Sequence, residues 1–377
     1  MESSSSRRPH YGNLEALRGI AALIVVLHHL SLQPGTFLTG NPWLAQGWLF
    51  VDLFFVLSGF VIASAHMHSP ACEAAAKGFL IRRFCRLWPL HFVTLVTALG
   101  IDLLGGEGAK RGYGAMVALN LTMTHAWGLV PGSVLNGPSW SISVEWAAYL
   151  LFAGVCMATA DFRRRFTIMA MVGLLSLILL LVFRSGSLDG DLSLRLPRCL
   201  MSFALGVLLW GWARGRTPLS SRPAAFGQLA IAAAMIAVLP FTAAKPALGL
   251  AIPLLSAAMI AIMVRDYGSA ARSILERPVP QWLGRHSYSI YLVHMPLFRW
   301  LSEGGADDLP RTAWLVLSLA ALMVVSSATY RFVEVPWRER GRAIARRAAQ
   351  SPAIGEHSPQ AVQRIERVAR GHPVRIE

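Results

Sequence analysis

Residues 166–183 read FTIMAMVGLLSLILLLVF, a run of 18 residues without a charged side chain. A helix rises about 1.5 Å per residue, so this run extends about 27 Å as a helix. The hydrocarbon core of a bilayer is about 30 Å thick. The stretch therefore predicts a transmembrane helix.

Long apolar blocks of this kind recur along the whole chain. The sequence is 54% hydrophobic and only 15% charged, whereas a soluble chain is about one-quarter charged. We therefore predict an all-α integral membrane protein with about ten transmembrane helices. The predicted spans are 14–31, 47–65, 87–104, 142–160, 166–183, 196–213, 225–241, 247–264, 286–302 and 313–331.

The basic residues predict how the chain is oriented. With the N-terminus inside, the arginine-rich connections fall inside, whereas the outside connection 32–46 contains no Lys or Arg. This is the distribution expected of a multi-pass protein of the cell inner membrane with both termini in the cytoplasm. It also accounts for the net charge of +15 without a nucleic-acid partner, and membrane lipid is the surface we expect the protein to contact.

The stretch 115–130 is too polar for an ordinary span. It contains Asn120, Thr122, Thr124 and His125. A full crossing here would also invert every later connection and place the arginines at 163–165 outside. We predict a re-entrant or interfacial segment, which must be buried in protein because lipid cannot satisfy its backbone.

The ends of the chain flank one membrane domain. We expect a disordered cytoplasmic N-terminus at 1–13, a transmembrane domain at 14–337 and a basic cytoplasmic tail at 338–377, held as a helix near anionic lipid. Glu15 and Arg18 make the first apolar stretch a retained span, not a signal peptide. The four cysteines are scattered, so neither a disulfide framework nor a metal site is expected.

The first span carries the polar pair Arg18 and His29. They are eleven residues apart, so they lie on one helical face about 16 Å apart along the axis. Ionisable groups inside a span usually mark a functional site. The alternative is that Arg18 reaches the inner headgroups and His29 caps a polar helix contact.

Two carboxylates are predicted at a similar depth to His29. Asp52 lies near the outer end of the second span, where it would orient the imidazole of His29. Glu145 lies just inside the outer interface beside Trp140, with Tyr149 one turn deeper. These residues suit sugar binding, or they form an interfacial tryptophan belt with a solvated Glu.

Other candidates have two explanations each. Arg83 and Arg86 share a helical face and form either a phosphate clamp or an ordinary positive-inside anchor. Ser58 and Gly59 either line a tunnel or pack helices closely. In the ninth span, Ser287, Tyr291 and His294 share a face, and His294 lines a cavity or satisfies a buried neighbour.

Together these segments resemble acyltransferase family three, integral-membrane acyltransferases that modify envelope glycans and some small products. The resemblance extends from residue 14 to about residue 338. It covers an Arg/Lys–His pair in the first span, Phe-Phe-x-x-Ser-Gly in the second and Arg-x-x-Arg in the first inside loop. The matching residues are Arg18, His29, Phe54, Phe55, Ser58, Gly59, Arg83 and Arg86. Segments 140–145, 284–294 and 330–336 are also similar.

The resemblance implies an O-acyltransferase that moves acetyl from cytoplasmic acetyl-CoA to a hydroxyl of a cell-envelope or exported polysaccharide or a glycolipid. Acetyl-CoA is then a substrate, and no tightly bound cofactor is expected. We assign catalysis to His29, Arg18, Asp52 and Glu145. The residues assigned to acyl-CoA are Arg83, Arg86, Phe55, Ser58 and Gly59. The residues assigned to the acceptor are Trp140, Tyr149, Tyr291 and His294.

Two other classes compete with this assignment. A transporter or flippase of a lipid-linked sugar would also need charges inside the membrane, but the chain has no internal repeat. A haem or quinone protein would use His29, His91 and His294. We expect His91 near the inner side and His29 near the outer side, too far apart to bind one iron. Whether an acyl-enzyme forms is left open by the sequence.

Overall fold

The structure is a computed structural model, and it describes residues 11–33, 36–105, 113–130, 134–183, 194–303 and 309–350. The described residues form helices and connecting turns, with one isolated bridge between Leu219 and Asp266. The helices are α1 (Gly12–Ser31), α2 (Val51–His66), α3 (Glu73–Leu104), α4 (Tyr113–Leu121), α5 (Trp140–Ala158), α6 (Phe162–Val182), α7 (Arg195–Ala213), α8 (Ser221–Val238), α9 (Ala251–Met263), α10 (Ala270–Leu275), α11 (Pro278–Glu303), α12 (Arg311–Thr329) and α13 (Val335–Gln350).

Ten helical segments correspond to the ten predicted spans, and the protein is an all-α integral membrane protein. Nine segments of the described chain are long and apolar enough to cross a membrane by length and composition. The tenth is α11, whose 26 residues extend about 39 Å. We call the side where α1 begins the arginine face and the other side the opposite face. The helices α1, α3, α6, α8 and α11 run toward the opposite face.

Helix α11 contributes several buried polar side chains to the bundle. It packs against α1, α3, α10 and α12. Its buried residues include Ser287, Ser289, Tyr291 and His294. Polar side chains in a span normally face the interior of a bundle, which explains why α11 is less apolar than its neighbours.

Helices α1 and α11 run parallel and touch at two glycines. A Cβ atom on Gly284 would collide with the backbone of Glu15, and one on Gly19 would collide with the backbone at Leu283 and Gly284. Small residues permit this close approach of helices. His29 and His294 each lie ten residues beyond these glycines. The parallel arrangement therefore brings the two histidines to the same level.

Helices α2 and α7 make a second close contact. A Cβ atom on Gly59 would collide with the carbonyl of Phe203, and one on Gly206 would collide with the carbonyl of Val56. Gly59 thus serves helix packing, which was one of its two explanations from sequence. It does not line the central cavity described below.

The segment around 115–130 does not cross the bundle. Helix α4 has nine residues, about 13 Å, and the chain then continues without regular helix. This irregular part is held by α5: the Trp127 indole donates to the carbonyl of Ser143 at 2.9 Å, and the amide of Ala126 donates to Ser143 Oγ at 3.0 Å. Asn120 and His125 are buried, as expected of a re-entrant segment.

Helix α3 begins fourteen residues before the predicted span at 87 and includes Arg82, Arg83 and Arg86. His91 therefore lies about 27 Å along the helix, in the half near the opposite face. There its Nε2 contacts the carbonyl of Asn120 at 2.8 Å, and its ring stacks on His125. The prediction that His91 lies near the inner side was wrong, because the helix start was misplaced.

Helix α12 continues into α13 through a π-helical turn, Tyr330–Glu334. Helix α13 packs on the first part of α3, where Gly341 meets the Cys85 side chain. The helix thus runs past residue 337, at which we placed a domain boundary. The rest of the predicted tail and most of the predicted N-terminal segment lie outside the described residues.

Buried Arg165 joins two connections on the arginine face. Its guanidinium donates to the carbonyls of Met67, Ser69, Cys156 and Thr159 at 2.7–2.8 Å. Two of these carbonyls lie at the C-terminal ends of α2 and α5, where helix dipoles favour a cation. This arginine therefore has a structural role and is not available to a ligand.

Candidate active site

A central cavity of about 100 Å³ lies between α1, α2, α3, α5 and α11. Side chains from all five helices line it. Those that matter most below are Arg18, Phe54, Phe55, Ser58, Arg83, Arg86, Ser141, Glu145, Tyr149, Tyr288 and Tyr291. Helices distant in sequence therefore bring together most of the residues singled out in the sequence.

The central cavity continues into a larger basic space at the arginine face. This arginine vestibule has a volume of about 260 Å³. It shares Arg18, Arg83, Arg86 and Tyr288 with the central cavity. Its remaining lining residues are Glu15, Arg82, Arg285, Glu334, Arg338 and Arg342. Seven guanidiniums against two carboxylates make this space basic, and arginine can bind a phosphate through several donors at once.

Glu145 belongs to the central cavity, where it anchors a hydrogen-bonded chain. The Tyr149 hydroxyl donates to Glu145 Oε1 at 2.5 Å, and Ser58 Oγ lies 2.9 Å from that hydroxyl. Arg83 lies over the Tyr149 ring, 5.7 Å from its centre. The predicted outer cluster of Glu145 with His29 is therefore wrong: Glu145 faces the arginines.

His29 contacts His294 instead. His29 Nδ1 lies 2.9 Å from the carbonyl oxygen of Val25 and 3.2 Å from His294 Nε2. A carbonyl only accepts, so the proton of a neutral His29 ring is on Nδ1 and its Nε2 carries the lone pair. His29 is half-buried and His294 is buried. This pair offers a general base with a defined tautomer.

The histidine pair adjoins the central cavity through Tyr291. The rings of Tyr291 and His294 are 6.2 Å apart, and the Tyr291 ring lies 5.7 Å from Phe54. The Tyr291 hydroxyl contacts Ser141 Oγ at 2.9 Å and donates to the carbonyl of Pro138 at 3.1 Å. Tyr291 and Phe54 therefore stand between the cavity and the imidazoles.

Asp52 does not pair with His29. Both its oxygens accept from buried Arg198, with Nη2 2.8 Å from Oδ2. Ser202 also donates to the carboxylate at 3.2 Å. The guanidinium of Arg198 in turn lies over the Trp48 ring, 4.4 Å from its centre. The predicted orienting role toward His29 was wrong. The carboxylate of Asp52 is buried and forms its ion pair with Arg198, because a buried charge needs a paired partner.

The residues predicted for acyl-CoA divide by position. Arg83, Arg86, Phe55 and Ser58 line the central cavity, and Gly59 packs against α7 instead. These positions are consistent with one ligand that extends from the vestibule into the cavity.

The residues predicted for the acceptor do not surround one pocket. Tyr149 and Tyr291 line the central cavity, and His294 contacts His29. The Trp140 ring lies beside Phe55, and Arg195 lies 5.2 Å from its centre. If an acceptor binds near His29, other residues must hold it.

Sequence reasoning missed the contribution of Glu334 and its neighbours to the vestibule. Ser289 donates to Glu334 Oε1 at 2.5 Å, and Arg338 lies 3.9 Å from the other oxygen. Segment 330–336 is similar to the family in sequence, but that similarity alone assigns it no role. A π-helical turn inside an α-helix frequently occurs at a functional site, but its presence is not visible in the sequence.

Comparison with known proteins identifies the family. The acyltransferase-3 model, described as an acyltransferase domain, matches residues 11–331. The chain therefore belongs to this family of acyltransferase domains, as its motifs indicated. No solved structure matches the chain.

Curated relatives carry names consistent with this family. The peptidoglycan O-acetyltransferase OatA of Listeria monocytogenes is 23% identical over 365 residues, 89% of this chain and 57% of OatA. A putative O-acetyltransferase of Staphylococcus aureus is 24% identical over 87% of this chain and 57% of its own length. The acyltransferase MdmB of Streptomyces mycarofaciens is 34% identical over 37% of this chain and 38% of its own length. The chain thus spans just over half the length of the first two relatives.

Proposed function

We propose that this protein is a membrane O-acetyltransferase that takes acetyl from acetyl-CoA on the cytoplasmic side and transfers it to a hydroxyl of an envelope or exported polysaccharide. The observation that supports this most is that the arginine vestibule and the central cavity share a wall, and that Tyr291 of this cavity adjoins the His29–His294 pair. The names of both O-acetyltransferase relatives support acetyl as the group, and the name of the peptidoglycan O-acetyltransferase supports a cell-wall glycan as the kind of acceptor.

The vestibule suits the phosphates of coenzyme A. Arg83 and Arg86 lie where the vestibule joins the central cavity, so they would contact phosphates while the pantetheine arm enters the cavity. Arg18 and His29 are separated by about 16 Å along α1, a distance that an extended arm can cover. The arm would pass Phe54 and Tyr291, and the thioester would then reach the histidine pair.

His29 would act on the acceptor through Nε2. This nitrogen takes the proton of the acceptor hydroxyl as the oxygen attacks the acetyl carbonyl carbon. The new C–O bond forms, the C–S bond breaks, and the coenzyme A thiolate receives the proton from His29. The products are the O-acetylated acceptor and free coenzyme A. The Val25 carbonyl holds Nδ1–H throughout, so the ring does not turn.

Calorimetric titration with acetyl-CoA tests the donor site. We expect saturable binding by the wild-type protein, and at least about tenfold weaker binding by the Arg83→Ala/Arg86→Ala double variant, because each arginine loses a charge-assisted hydrogen bond. Arg340→Ala is the control, since Arg340 is exposed, lies over Trp337 and is not part of the vestibule.

Acetyl-pantetheine, which lacks the nucleotide, sharpens the same test. It should bind the wild-type and double-variant proteins equally, because it presents no phosphate to the two arginines. Well-folded wild-type protein that binds no acetyl-CoA would refute the proposed function and favour a transporter.

A further inference from the structure

A third cavity, which we call the outer pocket, lies near the opposite face. Its volume is about 300 Å³, within the range of small-molecule sites. It lies between the connection that precedes α2 and the connection from α8 to α9. Its lining includes His28, Gln46, Trp48, Leu49 and Thr242.

We propose that the outer pocket binds the acceptor as an uncharged sugar unit; this inference rests on the proposed function. The first argument is position. The rings of His28 and His29 are 4.8 Å apart, so the wall of the pocket adjoins the proposed base. The central cavity approaches His294, which contacts His29, through Tyr291. His29 therefore lies between a donor path and a separate pocket.

The second argument is the fixed geometry of Trp48 and Gln46. The Trp48 indole donates to Gln46 Oε1 at 3.2 Å. An indole N–H only donates, so its partner is the Gln46 carbonyl oxygen, and the NH₂ group of this pocket-lining residue is not used in that bond. Arg198 covers one face of the Trp48 ring and is itself held by Asp52. Asp52 is therefore a positioning residue for the wall of the outer pocket.

The third argument is charge. The residues that line the outer pocket include no Asp, Glu, Lys or Arg, in contrast to the arginine vestibule. A pocket with an aromatic ring, an amide and no formal charge suits a neutral sugar with apolar C–H faces and hydroxyls. A phosphate or carboxylate would lose its hydration here without gaining a counter-charge.

The fourth argument is how closely the pocket wall is fixed to α1. A Cβ atom on Gly47 would come too near His28 and the carbonyl of Ile24. The His28 ring also contacts the carbonyl of Leu44 at 2.9 Å. The connection that carries Gln46 and Trp48 is thus held at a set distance from the helix that carries His29.

Covalent blocking of the outer pocket tests this inference with the acceptor that is present in the cell membrane, so the acceptor need not be identified first. Gln46→Cys is made in a Cys72→Ser background, where the remaining cysteines are buried, and labelled with a membrane-impermeant maleimide. Membranes of the cells that produce the protein supply the acceptor. Acetyl transfer from radioactive acetyl-CoA is measured as the radioactivity that the membranes incorporate and that base releases. We expect labelling to lower this transfer at least tenfold while the Kd for acetyl-CoA stays unchanged.

Trp43→Cys is the matched control. Trp43 lies in the same connection, three residues before Gln46, and is exposed, but it does not line the outer pocket. Its adduct should leave transfer unchanged. Full transfer by the labelled Gln46→Cys protein, or failure of the reagent to reach this cysteine from outside, would overturn the inference and leave the proposed function standing.

Two further variants separate binding from folding. Trp48→Leu should reduce transfer, and Trp48→Phe should restore most of it because an aromatic ring remains; both should bind acetyl-CoA normally. Equal transfer by Trp48→Leu and wild-type protein would contradict the assignment. If wild-type membranes bind acetyl-CoA but incorporate no base-labile acetyl, both the proposed function and this inference fail.

Discussion

At the scale of single residues, one hydrogen bond decides which nitrogen of His29 is basic. Val25 lies one turn earlier on the same helix, and its carbonyl accepts a hydrogen bond from Nδ1–H of His29. His294 accepts from the same group across the interface of α1 and α11. His29 would thus act on the substrate through Nε2, and His294 would be a positioning residue.

Replacement of these histidines should have graded effects. We expect His29→Gln to lower kcat by about 10²–10⁴-fold, the usual contribution of a general base. His294→Leu should lower kcat less, and His294→Asn should recover part of the loss, with the Kd for acetyl-CoA unchanged in all three proteins. Steady-state kinetics and calorimetry on the same preparations measure both quantities.

His286→Gln is the control for these variants. His286 is on α11 and also contacts the carbonyl one turn before it, at Trp282, but it lies about 12 Å along α11 from His294. Its replacement should leave kcat nearly unchanged. Equal losses in His286→Gln and His294→Leu would show that α11 tolerates neither change and that His294 has no special role.

Residue positions within one helix could be predicted from the sequence, but partners between helices could not. The spacing of Arg18 and His29 fixes their common face, because helix geometry is constant. Asp52 and Arg198 are 146 positions apart, and no local pattern connects them. The wrong partner for Asp52 followed from an assumption that neighbouring spans pair their polar residues at equal depth.

At the scale of helices, the parallel contact of α1 with α11 positions the histidine pair. The glycine contact lies ten residues before each histidine. Any displacement of one helix at the glycines is carried about 15 Å along both axes to the imidazoles. The precision of the His29–His294 contact therefore depends on residues that touch no substrate.

Gly284→Ala should move α11 away from α1. The added methyl group would collide with the Glu15 backbone, which cannot move without moving α1. We expect a loss of about 1–3 kcal/mol of stability from overpacking, seen as a lower Tm, together with a lower kcat. Gly154→Ala is the control, since a Cβ at Gly154 meets open space and alanine favours a helix. A Gly284→Ala protein with wild-type kcat would contradict the coupling.

The order and number of the spans could be predicted from apolar blocks, but the boundaries of α3 and α12 could not. Arg82 to Arg86 are basic enough to be taken as a loop, yet α13 covers this part of α3 and keeps it helical. The helical continuation from α12 into α13 likewise brings Arg338 to the vestibule. Both departures come from tertiary packing, which outweighs local polarity.

The proposed reaction requires that the arginine vestibule faces the cytoplasm, where acetyl-CoA is made. The outer pocket must then face the other side. The arginine vestibule and the outer pocket lie near opposite faces of the bundle. The distribution of arginines favours a cytoplasmic vestibule, and the native cysteines allow a direct test.

Cys72 precedes α3 at the arginine face and is exposed, whereas Cys85, Cys156 and Cys199 are buried. A membrane-impermeant maleimide should therefore label the wild-type protein at Cys72 in inverted vesicles and not in right-side-out vesicles. Phe37→Cys in a Cys72→Ser background should show the reverse, because Phe37 is 76% exposed in the connection at the opposite face. Labelling of Cys72 from outside would place the seven guanidiniums away from acetyl-CoA, and the donor path could not operate in the proposed direction.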